Sequence, residues 1–229
     1  MSSDASAPVS RHVDRPAAVP ARALLACGVA AGPLFVLLIV GQAMTRDGFD
    51  ARRHPLSMLS LGEHGWIQTA NFLICGLLIL ASVVGLRRAL EPQSPGRAWG
   101  TWLLAVYGAS LIWAGVFPTD PAFAYPPGTP DAAPAQVSWH GLLHNFAPVG
   151  MGLALSAACL VFARRFARDG RRGWAGYSVL APAAYLIVGF AAFPAQDYRL
   201  MLAGGAIIWT WAAALCLNLM TERPAHTQP

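Results

Sequence analysis

The chain has 229 residues, of which 55% are apolar and only 12% are charged. Soluble domains carry about 25% charged residues, so this composition excludes an ordinary soluble domain. Several apolar runs reach about 20 residues, the length that crosses a hydrocarbon core of about 30 Å, and the period-2 alternation of a membrane barrel is absent. The sequence therefore predicts a polytopic helical membrane protein.

Six membrane-spanning helices are predicted after an N-terminal tail. Residues 1–20 are rich in Ser, Ala and Pro and cannot form a core, so we expect a disordered tail. The first apolar run is too long and too far from the N-terminus for a cleaved signal peptide. Together the runs predict an all-α bundle, with one membrane domain at 21–221 and a short tail at 222–229. The spans are expected at about 22–43, 65–86, 98–117, 139–163, 173–193 and 200–220.

The arginines predict the orientation of the bundle. All 16 basic residues are arginine; twelve fall on the side of the termini and of the second and fourth loops, and four fall on the other side. Because cytoplasmic loops are enriched in arginine and lysine, both termini are predicted to be cytoplasmic, with the spans in the plasma membrane. The net charge of +5 is thus explained by membrane topology, and no nucleic-acid partner is expected.

The sequence of the second and third spans is similar to that of the fourth and fifth. Both copies run in the same direction, so the similarity predicts a parallel repeat, which is a weaker transporter signal than an inverted one. The alternative is chance matching between spans that have Trp, Arg and Pro at their ends. The matched pairs include Trp66 and Trp139, Asn71 and Asn145, Arg87 and Arg164, Phe117 and Phe193, and Asp120 and Asp197.

The candidate site lies where the third span ends and the fourth begins. His140 and His144 are four residues apart, so a helix places both on one face. Two such imidazoles, with Asp120 as a third ligand, would hold a metal ion, for which zinc is the expected cofactor. The alternative is a histidine pair hydrogen-bonded to neighbouring loops, with Asp120 as a helix cap. Further ligands or substrate-binding groups would come from His54, His64, Asn71, Asn145 and Asp197.

Ser57 is the candidate catalytic serine. Its hydroxyl would donate a hydrogen bond to charge that develops on a substrate, or else it caps a short interfacial helix. No GxSxG motif is present, so a serine nucleophile is not expected. Asn71 and Asn145 lie about one turn inside the membrane, where polar side chains usually bridge helices. The proline-rich connection at 119–138 is either a lid over the site or a spacer.

Four motifs carry a resemblance to a known family. They are His-Pro-Leu-Ser at 54–57, Gly-Trp-Ile-Gln at 65–68, Gly-Val-Phe-Pro-Thr-Asp-Pro at 115–121 and His-Gly-Leu-Leu-His at 140–144. In this order, over about residues 22–220, the chain resembles the bacterial multi-pass family catalogued as domain of unknown function 998. The resemblance implies a helical membrane domain, supplies no activity, and favours Ser57, Asp120, His140 and His144 as the family's polar positions.

A looser analogy is to the membrane hydrolases that include alkaline ceramidases and adiponectin receptors, which carry a Ser, an Asp and three His around zinc in seven spans. This chain has the residue types but six predicted spans, and no third histidine at a matching place. The leading hypothesis is an outward-facing, metal-assisted hydrolase that acts on a lipid or amphiphile. The alternatives are an ion- or proton-coupled transporter and a non-catalytic membrane partner or sensor.

Overall fold

A computed structural model of the chain describes residues 19–94 and 96–221. Within these residues the fold is all-α, without a β-strand. The predicted disordered tail at the N-terminus, up to residue 18, and the C-terminal tail at 222–229 lie outside the described residues. The elements are α1 (Ala21–Thr45), a 3₁₀ helix (Leu56–Ser60), α2 (Trp66–Ala89), α3 (Arg97–Val116), α4 (Trp139–Arg168), α5 (Arg172–Phe190), α6 (Ala192–Ala195) and α7 (Arg199–Thr221).

Among the described residues, six helical segments are long and apolar enough to cross a membrane, which confirms the predicted all-α, six-span architecture. The short α6 continues the fifth span, so that this segment runs over Arg172–Ala195. The fourth span is longer than predicted and continues to Arg168. The helix extends past its first arginines because Phe166 in this last part is fully buried and contacts Trp174 of α5.

The six spans close into a ring in chain order. Each span packs against the next one, and α7 returns to pack against α1. Aromatic side chains fill the centre: Phe35 of α1 and Tyr107 of α3 both contact Trp209 of α7, with ring centroids 5.3 Å apart in each pair. Each buried aromatic ring removes a large apolar area from its surroundings and so contributes to packing at this point.

Gly76 and Gly108 allow the backbones of α2 and α3 to pack directly against each other. A Cβ atom built on Gly76 would lie 2.8 Å from the carbonyl oxygen of Gly108, and one on Gly108 would lie 3.1 Å from the carbonyl oxygen of Gly76. Small residues at helix contacts are the usual means of close packing in membranes, where lipid provides no hydrophobic force between helices. The pair therefore fixes the α2–α3 interface.

A buried hydrogen-bond chain joins α1 and α2. Gln42 Nε2 donates to Gln68 Oε1 at 2.8 Å, and Asn71 Nδ2 donates to the same oxygen at 3.3 Å. Asn71 Nδ2 also donates to the carbonyl of Phe35 in α1, at 3.2 Å, and the thiol of Cys75 donates to Asn71 Oδ1 at 3.3 Å. Asn71 thus bridges two helices, the role that polar residues at this depth usually have.

The predicted parallel repeat is not confirmed. Asn71 is fully buried, whereas Asn145 is exposed on α4, so the two asparagines have different surroundings. The third span ends at Val116 and the next residue is extended, whereas the fifth span continues from α5 into α6. The matched residues at the ends of these spans therefore lie in different local structures.

Candidate functional site

One end of the bundle carries a set of packed loops. Arg53 and Asp131 form an ion pair at 2.7 Å between the first and third loops, and the amide of Tyr198 in the fifth loop donates to the carbonyl of Arg52 at 2.9 Å. These contacts join the three loops into one layer above the spans. We call this layer the cap: residues 46–65, 117–138 and 196–198.

His54 is a structural residue of the cap. Its Nε2 donates to the carbonyl of Phe123 at 2.8 Å, and its Nδ1 accepts from the amide of Asp50 at 2.9 Å. The ring also contacts Phe49 and Tyr125, and only 2% of the residue is exposed. Burial in the same cluster raises the pKa of Tyr125. Since both nitrogens of His54 are engaged, a metal would have to displace one of these hydrogen bonds.

Asp120 anchors the start of α4. Its Oδ1 accepts from the Ser138 hydroxyl at 2.5 Å, and its Oδ2 accepts from the Ser138 amide at 3.0 Å. Ser138 is the N-cap residue, and its hydroxyl oxygen accepts from the amide of Gly141 at 3.0 Å. The carboxylate and the serine thus satisfy amides at the helix start and place negative charge at the positive end of the helix dipole.

His140 and His144 both reach the end of α3. The Nδ1 of His140 donates to the carbonyl of Pro118 at 3.0 Å, and the Nδ1 of His144 donates to the carbonyl of Phe117 at 2.7 Å. Because a carbonyl only accepts, each Nδ1 carries a proton. His144 is 4% exposed and its ring also contacts Phe72 of α2, so the pair fastens three helices together.

The structure brings Asp120 and His140 together but assembles no larger ligand set. Asp120 Oδ1 lies 4.0 Å from His140 Nδ1. Among the described residues, no three His, Cys, Asp or Glu side chains are placed to hold a metal ion. We call Asp120, Ser138, His140 and His144 the junction. In the part of the chain that the structure describes, no hydrogen bond, ion pair or ring contact links the junction to the other candidate ligands or to the candidate serine. These are His54, His64, Asn71, Asn145, Asp197 and Ser57.

The remaining candidates lie apart, each with its own environment. The exposed His64 offers its backbone carbonyl to the Arg46 guanidinium, and Ser57 in the 3₁₀ helix offers its carbonyl to the Ser60 hydroxyl at 2.7 Å. Asp197 binds the guanidinium of Arg199, and this hydrogen bond holds the pKa of Asp197 below its usual value. Asp197 also accepts from the Arg199 amide at 3.1 Å, so it starts α7 much as Asp120 starts α4.

A groove of about 450 Å³ opens between α4 and α5 on the side of the bundle that would face lipid. Its wall includes Leu153 and Phe190, which are 70% and 64% exposed. It begins near Phe193 and Met201 at the cap end, and no charged side chain of the described residues lines it. The groove is therefore an apolar cleft within the membrane-spanning part of the protein.

Prolines and glycines in these two helices account for the groove. Pro148 in α4 and Pro182 in α5 lack the amide that a helix interior requires, and interior prolines kink helices. Gly152 has no side chain to fill the gap, and the hydroxyl of Tyr185 lies 3.2 Å from the position of a Cβ built on it. Gly189 of α5 lines the same cleft.

Sequence reasoning missed both Ser138 and the groove. A serine directly before an apolar helical run is a helix N-terminus signal that would have identified Ser138. Pro148, Gly150 and Gly152 lie within one predicted span, and this combination marks a helix that bends and leaves space. The relative position of α4 and α5 gave no signal in the sequence.

Six apolar spans beneath a packed cap define a multi-pass α-helical membrane protein. The profile of the family described as "Protein of unknown function (DUF998)" matches residues 29–218, so the chain belongs to that family and the resemblance is confirmed. Neither the curated proteins nor the solved structures gave a match to the chain. The family description names no activity, so the features of the protein that bear on its function are the cap, the junction and the groove.

Proposed function

We propose that this protein binds a lipid or a lipid-like amphiphile that enters sideways from the bilayer into the groove between α4 and α5. The observation that carries the proposal is the groove itself, an uncharged cleft of about 450 Å³ on helices long enough to span a membrane. Small-molecule sites are clefts of about 300–1,000 Å³ with mostly apolar walls and a few polar groups. Because the cleft opens on the side of the bundle that would face lipid, lipid chains would have direct access to it and a water-soluble ligand would not.

The groove would run from the cap side of the bilayer to just past its centre. Pro148 lies nine residues below the start of α4, and Ser156 lies eight residues further, so the cleft covers about 12 Å along the helix. Its cap end, at Phe193 and Met201, is next to the loop that contains Asp197. A lipid in the groove would therefore have one end near the cap and the other near the middle of the bilayer.

A leucine at Gly152 is expected to abolish lipid binding. Gly152→Leu places its side chain against the Tyr185 hydroxyl and fills the cleft. The matched control is Gly176→Leu on α5, because a Cβ there meets no atom within 4 Å. Native mass spectrometry of the detergent-purified chain, titrated with 1,2-dioleoylglycerol, should show at least a tenfold loss of affinity in Gly152→Leu alone.

Two results of this titration would contradict the proposal. One is equal lipid affinity in the wild type and in both variants, which would place the lipid elsewhere on the surface. The other is a wild-type dimer without bound lipid that dissociates on the Gly152→Leu substitution, which would assign the groove to a second copy of the chain.

We further propose that the cap faces outward in the plasma membrane and that both termini are cytoplasmic. The support is the arginine distribution, since cytoplasmic loops are enriched in arginine. In a chain whose partly exposed Cys27 is replaced by serine, Ala133→Cys in the cap should react with an impermeant thiol reagent in intact cells. Ala167→Cys, at an exposed alanine near the other end of α4, should react only after permeabilisation. The opposite pattern would reverse the orientation.

Metal-assisted hydrolysis at the junction stays a separate hypothesis. Zinc would bind the Nε2 of each histidine, since each Nδ1 is bonded to a carbonyl. It would share the oxygens of Asp120 with the two hydrogen bonds from Ser138, because each carboxylate oxygen has two lone pairs. A bound zinc would supply a Lewis acid and an activated water. Elemental analysis should then find about one zinc per chain, lost in the His140→Ala/His144→Ala variant; metal-free wild-type protein would exclude it. Transport and a non-catalytic sensor role stay hypotheses as well.

A further inference from the structure

We infer that the groove between α4 and α5 takes an uncharged lipid whose small polar group, a hydroxyl or a carbonyl, lies near the middle of the bilayer beside Ser156 and Tyr185. This inference rests on the proposed function and narrows the class of ligand. It is carried by the two hydroxyl groups of the lining, by their depth and by the lack of charge around them.

Ser156 has a hydroxyl without a partner. Its Oγ is buried and makes no hydrogen bond within the described residues. Other hydroxyls on the spans donate a hydrogen bond to the backbone carbonyl one turn earlier. Ser110 donates to the carbonyl of Val106 at 2.9 Å, and Thr210 donates to the carbonyl of Ala206 at 2.5 Å. A polar group left unpaired in an apolar medium is unfavourable. Ser156 lines the groove, so rotation of its side chain toward the groove would let a ligand oxygen supply the missing partner.

Tyr185 provides the second hydroxyl of the lining. Its oxygen lies over the backbone of Gly152, 3.2 Å from a Cβ built there, and Ser156 follows Gly152 by one helical turn on the same face. The two hydroxyls thus flank the same stretch of the cleft. Each can donate to a carbonyl, and each can also accept from a hydroxyl.

Both helices place this point near the middle of the bilayer. In α4, Trp139 and Arg164 lie at opposite ends of the span; the centre is near Gly152, and Ser156 lies about 6 Å beyond it at 1.5 Å per residue. In α5, the midpoint between Trp174 and Phe190 is residue 182, and Tyr185 lies about 5 Å from it. Ser156 is displaced from the centre away from the cap and Tyr185 toward it. Since the Tyr185 hydroxyl lies next to Gly152, the two hydroxyls border the centre of the bilayer from opposite sides.

This depth excludes a lipid held by a charged headgroup. A charged group near the centre of a membrane is costly unless it is paired, and no charged side chain of the described residues lines the groove. A phospholipid that keeps its headgroup at the interface would also keep its ester carbonyls near it, short of Ser156. A lipid with a small neutral head can move that head to the level of the two hydroxyls.

The test compares two lipids that share their acyl chains. Full-length protein in detergent is titrated by native mass spectrometry with 1,2-dioleoylglycerol and with dioleoylphosphatidylcholine. The wild type should bind dioleoylglycerol at least tenfold more tightly. Ser156→Ala and Tyr185→Phe, which remove only a hydroxyl, should each weaken dioleoylglycerol binding by about three- to tenfold, the effect of one neutral hydrogen bond, and leave phosphatidylcholine binding unchanged.

The control is Ser110→Ala, which removes a hydroxyl that is already bonded within α3 and should change neither affinity. Equal affinities of the wild type for the two lipids would overturn the inference, as would hydroxyl variants that behave like Ser110→Ala. If both lipids bind equally and Gly152→Leu removes both, groove binding stands and only the ligand class is wrong. If neither lipid binds the wild type, the proposed function fails together with the inference.

Discussion

Replacement of Asp120 by alanine is expected to lower the free energy of unfolding by about 3–5 kcal/mol. The carboxylate accepts two hydrogen bonds from Ser138, and hydrogen bonds to charged groups contribute about 1.5–3 kcal/mol each. The change also removes negative charge from the N-terminal end of α4, where it stabilises the helix dipole. The Asp120 side chain is only 12% exposed, so water replaces these bonds poorly.

The measurement is thermal or denaturant unfolding in detergent, with Asp131→Ala as the matched control. Asp131 is another aspartate of the cap, and its ion pair with Arg53 joins side chains that are 60% and 51% exposed. Exposed ion pairs contribute about 0–1 kcal/mol, so the control should unfold almost like the wild type. Equal losses in the two variants would mean that Asp120 does not anchor α4.

Gly76→Leu is expected to destabilise the bundle by at least about 3 kcal/mol, because it overpacks the interface between α2 and α3. A Cβ at this position would already lie 2.7 Å from Ile112 and 2.8 Å from the Gly108 carbonyl, and the second of these is backbone that cannot rotate away. The rest of a leucine side chain would force the two helices apart. Loss of this contact removes the close approach that holds membrane helices together.

The control for this change is again Gly176→Leu, where the added side chain enters open space. Since leucine is a better helix former than glycine, the control should be neutral or slightly more stable. Unfolding of both variants in the same detergent separates packing from propensity. A Gly76→Leu protein as stable as Gly176→Leu would show that the α2–α3 contact is looser than the structure has it.

The six spans could be predicted because the bilayer fixes their length and composition. An apolar run of about 20 residues has few alternatives to a membrane helix, and arginines mark most span ends. The exception was α4, which continues past Arg164 and Arg165 to Arg168 because Phe162 and Phe166 remain fully buried. That burial depends on contacts with Trp211 and Trp174, which the local sequence does not reveal.

The sequence predicted where the candidate site lies but not the contacts within it. The four-residue spacing of His140 and His144 showed that both rings share a face, and the position of Asp120 showed that it lies near them. The sequence could not show that Phe117 and Pro118 present carbonyls to both rings, or that Ser138 occupies both oxygens of Asp120. These contacts depend on how the 20-residue connection folds back over the spans.

The groove could not be predicted from the sequence because it depends on the angle between α4 and α5. Pro148 and Pro182 predict bends, but the size of a bend and its direction are set by neighbouring helices. The sequence also cannot show that the Ser156 hydroxyl lacks a hydrogen-bond partner, because this depends on where the neighbouring acceptors lie. A serine in a membrane span usually bonds back to its own helix, as Ser110 does, so its residue type alone indicates nothing.

Mapping a photoreactive lipid on the protein tests the central claim most directly. The full chain is reconstituted in vesicles with a diacylglycerol that carries a diazirine in one acyl chain, irradiated and digested, and the adducts are located by mass spectrometry. Lipid binding in the groove predicts adducts concentrated at residues 148–156 and 185–190, lost in Gly152→Leu and retained in Gly176→Leu. Adducts spread evenly over exposed residues of all six spans, such as Leu37 and Trp102, and unchanged by Gly152→Leu would contradict it.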